Sequence, residues 1–142
     1  MLSKTAKYAL RAVAYLASRP GVDGGLVPLQ EIAEALDVPP NYLSKVTHRL
    51  GRAGILESVR GPGGGFRLGI PAGELVLARV TAPFDTTGGP LPCLLMNRPC
   101  NPDEPCVAHD RWKRIAAETR DFFGQTTVAE LLDGAGAGAF RI

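Results

Sequence analysis

Three cysteines and a histidine lie in one short stretch and are the residues best suited to chemistry. Their spacing is C-x6-C-x5-C-x2-H, formed by Cys93, Cys100, Cys106 and His109. The chain of 142 residues contains only these 3 cysteines. A free cysteine usually packs in a core as a small hydrophobe, but prolines, asparagines and charged residues surround two of these three. Thiolate and imidazole groups bind metals, so the stretch predicts a metal site or a redox centre.

Three kinds of chemistry remain open for this stretch. Zinc accepts three cysteines and one histidine, although structural zinc loops usually contain a closely spaced cysteine pair, which this sequence lacks. An iron–sulfur cluster is larger and accepts ligands that are further apart. A thiol switch needs only two neighbouring cysteines. A structural disulfide is not expected, because the number of cysteines is odd and the chain has the character of a cytoplasmic protein.

The first half of the chain predicts three helices, over residues 3–18, 28–36 and 40–53, each with an apolar stripe at helical spacing. The short turn between the second and third helices gives the layout of a helix-turn-helix, whose second helix enters the major groove of DNA. An ordinary helical hairpin with a polar outer face is the alternative. The outer face of the third helix carries hydrogen-bond donors and cations, namely Asn41, Tyr42, Ser44, Lys45, His48 and Arg49.

A glycine-rich hairpin follows these helices. Residues 55–60 and 66–68 predict two short strands that flank Gly-Pro-Gly-Gly-Gly at 61–65. Such a tip allows the backbone to approach another surface closely. A basic hairpin after a helix-turn-helix predicts a winged helix, in which Arg60 would lie along the DNA backbone or in the minor groove. A nucleotide phosphate loop is excluded, since no Lys-Ser/Thr follows the glycines and a strand comes next.

The second half predicts a short helix within 72–82, a loop over 85–105, and a long helix over 107–123 that ends at Gly124. One face of the long helix is apolar and must be covered by the N-terminal domain or by the same helix of a second subunit. Thr127 and Glu130 predict a capping box that starts a last short helix.

Composition and charge narrow the function further. The chain is 45% hydrophobic, and no apolar run is long enough to span a bilayer. Lys4, Lys7 and Arg11 interrupt any signal peptide, so we expect a cytoplasmic protein without a membrane partner. Residues 1–70 carry nine Lys and Arg against five Asp and Glu, which suits a face that meets phosphates. Only two histidines and no acid–base pair are present, which argues against an enzyme, including one with zinc in the cysteine loop.

The sequence resembles the bacterial winged-helix transcriptional regulators of the IscR/NsrR (Rrf-two) family, and within it the cluster-binding, IscR-like branch. The resemblance covers most of the chain. It is carried by the residues at 3–11, 32–34, 41–45, 52–55 and 58–66, of which the last (Ser-Val-Arg-Gly-Pro-Gly-Gly-Gly-Phe) is the closest match, and then by the cysteine loop and His-Asp-Arg-Trp at 109–112.

The resemblance implies a mainly helical fold with a small β-wing. It implies a winged helix-turn-helix DNA-binding domain over 1–82, a cluster-binding loop over 83–109, and a dimerisation helix with a C-terminal helix over 110–142. It further implies a homodimer that binds palindromic double-stranded DNA and senses redox state, iron–sulfur status or nitric oxide. The family also includes a cluster-free regulator, so sensing by thiol oxidation or by a protein partner is the alternative.

The resemblance also implies roles for individual residues. An iron–sulfur cluster, 2Fe-2S in the IscR-like branch with 4Fe-4S as the alternative, would be held by Cys93, Cys100, Cys106 and His109. The DNA contacts would come from Asn41, Tyr42, Ser44, Lys45, Arg60, Gly61, Pro62, Gly63 and Gly64. We expect phosphate contacts from Lys4, Lys7, Lys45 and Arg49. The dimer helix would use Trp112, Ile115, Thr119, Phe122 and Phe123.

Overall fold

The structure is a computed structural model that describes residues 2–19, 25–85, 92–96 and 98–134. The described residues form a mainly helical protein with one two-stranded antiparallel sheet, as the sequence predicted. The elements are α1 (Lys4–Ala17), α2 (Leu29–Leu36), α3 (Pro40–Arg52), β1 (Leu56–Val59), β2 (Gly65–Leu68), α4 (Leu77–Thr81), α5 (His109–Gln125) and α6 (Val128–Asp133).

The first three helices pack around one hydrophobic core. The buried face of α1 is made mostly of alanines, whose small side chains allow other helices to come close. Ser3 caps this helix, since its hydroxyl accepts the N–H of Ala6 at 3.1 Å. Larger side chains from the later elements fill the centre, and the fully buried ones include Ile32, Leu43, Leu50, Ile55, Leu75, Leu77 and Val80.

A left-handed residue makes the turn between α2 and α3. Asp37 has φ 52° and ψ 53°, a conformation that aspartate tolerates better than most residues. Val38 is buried beside it, and Pro39 and Pro40 then begin α3, where a missing N–H has no cost. The turn therefore fixes the direction in which α3 leaves the core.

The wing is a hairpin that is tied to the rest of the protein by a backbone bridge. Strands β1 and β2 pair with Glu57 opposite Arg67. Val27 and Phe66 exchange two backbone hydrogen bonds of 2.9 and 2.8 Å, which form an isolated antiparallel bridge beside β2. Gly61 and Gly63 have φ values of 94° and 73°, so the tip needs glycine at both positions.

The C-terminal helix returns to the N-terminal half. Val128 is buried in the core, and its N–H donates to Leu75 at 2.8 Å. The predicted capping box of Thr127 and Glu130 is present. Helix α6 packs on α1, so the end of the described chain contacts its beginning. The division into three domains stays a prediction.

The predicted end of the long helix was wrong. Gly124 lies inside α5, which continues to Gln125 and is capped by the extended residue Thr126. A glycine can end a helix by adopting a left-handed conformation, but Gly124 does not have a positive φ. The helix ends where the backbone turns to pair Thr127 with Val76. Within the described ranges, no helix is long and apolar enough to cross a membrane.

Candidate nucleic-acid interface and cysteine loop

Helix α3 presents one polar face to solvent. Asn41, Ser44, Lys45, His48 and Arg49 are exposed on it. The opposite face is buried through Leu43, Val46, Thr47 and Leu50. The hydroxyl of the buried threonine is satisfied inside the helix, because it donates to the carbonyl of Leu43 at 3.1 Å.

Tyr42 lies at the edge of this face and joins α3 to α1. Its hydroxyl shares a 2.6 Å hydrogen bond with the hydroxyl of Thr5. Its ring meets the ring of Tyr8 edge-on, with centroids 5.6 Å apart. Tyr42 therefore positions α3, which sequence reasoning had not predicted for it.

An open groove of about 680 Å³ runs between α3 and the wing. Ser44, His48 and Arg52 line it from the helix, and Arg60 and Gly64 line it from the wing. Arg60 and the tip residues Gly61, Pro62 and Gly63 are exposed. Of the predicted DNA contacts, Ser44, Arg60 and Gly64 line this groove, whereas Asn41, Lys45 and Arg49 are exposed outside it.

The cations of α1 divide into two groups. Lys4 and Lys7 are exposed, and the Lys4 ammonium lies 5.8 Å from the centre of the Tyr8 ring. Arg11 instead donates to the carbonyl of Leu36 at 2.8 Å and so ties α1 to the end of α2. Only the two lysines offer their charges to a partner in solution.

Arg49 is engaged within the protein, although it is exposed. Its guanidinium donates to the carbonyl of Pro83 and lies 4.7 Å from the centre of the Phe84 ring. The next residue, Asp85, accepts the N–H of Ser3 at 2.6 Å. Sequence reasoning missed these contacts, because no periodicity relates α3 to a segment more than 30 residues later.

The three cysteines are free and partly buried. The Cys93 thiol lies near those of Cys100 and Cys106. The backbone N–H of Leu95, together with that of Met96 and the two thiol contacts, lowers the pKa of Cys93 below its ordinary value. Desolvation, with the nearby Cys93 thiol, raises the pKa of Cys100. The surroundings of Cys93 and Cys100 therefore shift the pKa values of these two thiols in opposite directions.

His109 begins α5 beside this loop. It is buried, and its backbone N–H donates to the carbonyl of Cys106 at 3.0 Å. Cys100, His109 and Trp112 line one open cavity of about 190 Å³. In the part of the chain that the structure describes, no set of three or more His, Cys, Asp or Glu side chains has an arrangement that could hold a metal ion. The structure thus brings the thiols together without forming a ligand cage.

The predicted dimerisation residues of α5 have different surroundings. Trp112 donates its indole N–H to the carbonyl of Pro92 at 2.9 Å and so holds the start of the cysteine loop. Phe123 packs against the core, and the Thr119 hydroxyl donates to the carbonyl of Ile115. Ile115 and Phe122 are 51% and 52% exposed, so these two residues form the uncovered apolar part of the face.

Comparison with known proteins gives the family. The Rrf2 model, described as an iron-dependent transcriptional regulator, matches residues 2–134. The chain belongs to the Rrf2 family. A protein of Aquifex aeolicus, provisionally named an HTH-type transcriptional regulator, is 35% identical over 135 residues, 94% of this chain and 92% of that protein. The regulator IscR of Photobacterium profundum is 31% identical over 131 residues, 92% of this chain and 74% of that protein.

The solved structure of CymR, the global cysteine regulator of B. subtilis, is similar to this Rrf2 protein with a TM-score of 0.78. The identity is 24%, and the match covers 94% of this chain and 97% of CymR. At that identity the match supports the winged-helix fold alone. Because the sequence relatives are named as transcriptional regulators, the Rrf2 protein is a transcriptional regulator and not an enzyme, as its sequence predicted.

Proposed function

We propose that this Rrf2 regulator is a cytoplasmic homodimer that binds palindromic double-stranded DNA through α3 and the wing. In the proposal an iron–sulfur cluster held by the cysteine loop controls that binding. The observation that carries the proposal is the proximity of the Cys93 thiol to those of Cys100 and Cys106, in the loop that precedes α5. Redox state, iron–sulfur status or nitric oxide would be the signal.

The groove between α3 and the wing supports the DNA part of the proposal. Arg60 stands at the base of an exposed glycine-rich tip, a suitable position for a contact to the DNA backbone or the minor groove. Asn41, Ser44 and Lys45 would face base edges and phosphates in the major groove. Lys4 and Lys7 would add phosphate contacts from α1.

The donor set of the loop fits an iron–sulfur cluster in kind and number. Cys93, Cys100 and Cys106 would provide three thiolates, and His109, which lines a cavity with Cys100, would provide the fourth ligand of a 2Fe-2S cluster. A bound cluster would supply reversible electron transfer and reactivity toward oxidants. The chain's own contribution is positional, because Trp112 holds the start of the loop against α5 through Pro92.

The cluster is tested by anaerobic purification, iron and sulfide analysis, and absorption and Mössbauer spectra, which separate two-iron from four-iron clusters. We expect Cys100→Ala to abolish the visible absorbance while the protein stays folded by circular dichroism. His109→Ala should alter the spectrum, and His48→Ala, the other histidine, should not. A Cys100→Ala protein with the full chromophore would exclude our ligand assignment.

DNA binding is tested separately with a 30-base-pair mixed-sequence duplex in fluorescence anisotropy. Arg60→Ala should weaken binding by about 1–3 kcal/mol and leave the absorbance unchanged. Arg114→Ala, which removes an exposed arginine from α5, serves as the control and should have little effect. If the wild type and Arg60→Ala bind the duplex equally, the wing is not part of the DNA interface.

A cluster-free thiol switch is the second candidate, favoured by the contact of the Cys93 thiol with two other thiols. In that case anaerobic protein is colourless, and mild oxidation forms a disulfide that changes DNA affinity. A protein partner as the signal would leave the protein colourless and its DNA affinity insensitive to oxidation.

A further inference from the structure

A short segment, Pro83–Asp85, lies between α4 and the cysteine loop in the chain and contacts the DNA-facing helix α3. We call this segment the linker. Each linker residue contacts an element that carries predicted DNA contacts. The Pro83 carbonyl accepts from Arg49 of α3, and the Phe84 ring lies under the same guanidinium. The Asp85 carboxylate accepts from the N–H of Ser3, directly before Lys4.

Arg49 differs from the other cations of α3. Lys45 and Arg52 have no hydrogen-bond or ion-pair partner among the described residues. Arg49 has both a hydrogen bond and a ring contact, and both come from the linker. Its guanidinium therefore has a fixed direction and one donor already in use, which limits its contact with a phosphate.

The linker is also the route by which the chain enters the cysteine loop, since Cys93 follows Asp85 by eight residues. Phe84 is half-buried against the core, and this packing anchors the linker. A shift of Phe84 would remove the ring against which the Arg49 guanidinium lies. The linker thus contacts the DNA-binding elements and precedes the cysteine loop in the chain.

We propose that Arg49 is a phosphate contact that the linker withholds from DNA. Pro83 and Phe84 hold its guanidinium, an arrangement that we call the latch. Displacement of the linker by the cysteine loop releases the guanidinium to the DNA backbone. This inference rests on the proposed binding of DNA by α3 and the wing. It adds a specific residue through which the state of the loop changes affinity for any duplex, independent of its sequence.

The test uses the full chain without cluster, kept reduced, and the 30-base-pair mixed-sequence duplex at several salt concentrations. Phe84→Leu keeps apolar bulk in the core but removes the ring under Arg49, and Phe84→Tyr keeps the ring as the matched control. We expect Phe84→Leu to bind roughly three- to tenfold more tightly. The slope of log affinity against log salt should become steeper by about 0.9 for each arginine released, whereas Phe84→Tyr should match wild type.

Arg49→Ala completes a double-mutant cycle. With Phe84 present it should change affinity less than about twofold, and combined with Phe84→Leu it should cancel the gain. If Arg49→Ala reduces the affinity for the duplex by the same factor with and without Phe84→Leu, Arg49 is a permanent phosphate contact and the latch is overturned. An unchanged salt slope in Phe84→Leu would also overturn it.

Two further variants separate a failure of the latch from a failure of the proposed DNA binding. If Phe84→Leu does not fold by circular dichroism, Phe84→Met removes the ring with a flexible apolar side chain and gives the same comparison. Arg60→Ala reports on the proposed interface itself. If the wild type does not bind the duplex, the proposed function fails and the latch fails with it. If Arg60→Ala binds as tightly as the wild type, the wing is not part of the interface, and Phe84→Leu still tests the latch at α3. If Arg60→Ala binds more weakly but Phe84→Leu equals wild type, only the latch fails.

Discussion

At the scale of single residues, the local surroundings of Cys93 and Cys100 distinguish these two cysteines. The N–H of Leu95 stabilises the thiolate of Cys93, whereas desolvation and the Cys93 thiol oppose ionisation of Cys100. Thiolates are the reactive form of cysteine. One residue type therefore has two reactivities within a span of eight residues.

We predict that iodoacetamide modifies Cys93 before Cys100 in reduced protein without cluster at neutral pH, because Cys93 has the larger thiolate fraction. Peptide mass spectrometry after short reaction times measures the two rates. In concentrated urea the backbone contacts are lost, and the two rates should become similar. Faster modification of Cys100 in the folded protein would contradict this assignment.

At the scale of elements, a close backbone approach at Gly65 ties the wing to the segment before α2. A Cβ atom at Gly65 would lie 2.4 Å from the carbonyl oxygen of Val27, and the φ of Gly65 is 157°. We predict that Gly65→Ala destabilises the protein by about 1–3 kcal/mol, because the bridge between Val27 and Phe66 must open.

Urea unfolding followed by circular dichroism measures this loss. Gly73→Ala is the control, since Gly73 has an ordinary φ and no atom within 4 Å of the added carbon; its stability should change by less than about 0.5 kcal/mol. Equal stability of the two variants would show that the bridge does not hold the wing.

The capping box of α6 should make stability depend on acid pH. The backbone N–H and then the hydroxyl of Thr127 lower the pKa of Glu130 below its ordinary value of 4.5. A carboxylate whose pKa is lower in the folded state stabilises the protein above its unfolded pKa, and this contribution is lost as the pH falls through the folded pKa.

We predict that Glu130→Gln, which keeps an acceptor for the Thr127 N–H, reduces the decrease in Tm between about pH 5 and pH 3. Thermal unfolding of both proteins at several pH values measures the difference. Parallel Tm curves for wild type and variant would place the acid sensitivity in other carboxylates.

At the scale of the whole molecule, the uncovered apolar face of α5 predicts the assembly. Ile115 and Phe122 are half exposed, while Phe123 on the same helix packs inward. A charge placed between two copies of this face would remain without a partner on association.

We predict that Ile115→Glu converts the proposed dimer to a monomer of 15.0 kDa in light scattering after size exclusion. Phe122→Glu should do the same, and Arg114→Glu, a charge change outside the apolar face, should remain dimeric. Dimeric Ile115→Glu and Phe122→Glu proteins would place the subunit contact elsewhere.

The sequence by itself determined much of the architecture, because the information is local. Apolar spacing predicted α1, α2 and α3, glycine and proline predicted the turn and the wing tip, and Thr127 with Glu130 predicted the start of α6. The spacing of Cys93, Cys100 and Cys106 predicted a metal site or a redox centre in the loop. These features depend on residues that are neighbours in the chain.

Only the tertiary structure decided which residues engage one another across elements. Arg49 faces the linker, Trp112 holds Pro92, and Tyr42 bonds to Thr5, and each pair joins segments 20 or more residues apart. The end of α5 at Gln125 was likewise set by the pairing of Thr127 with Val76 and not by Gly124. Packing brings such partners together from distant parts of the chain, so no local pattern of residue types can specify them.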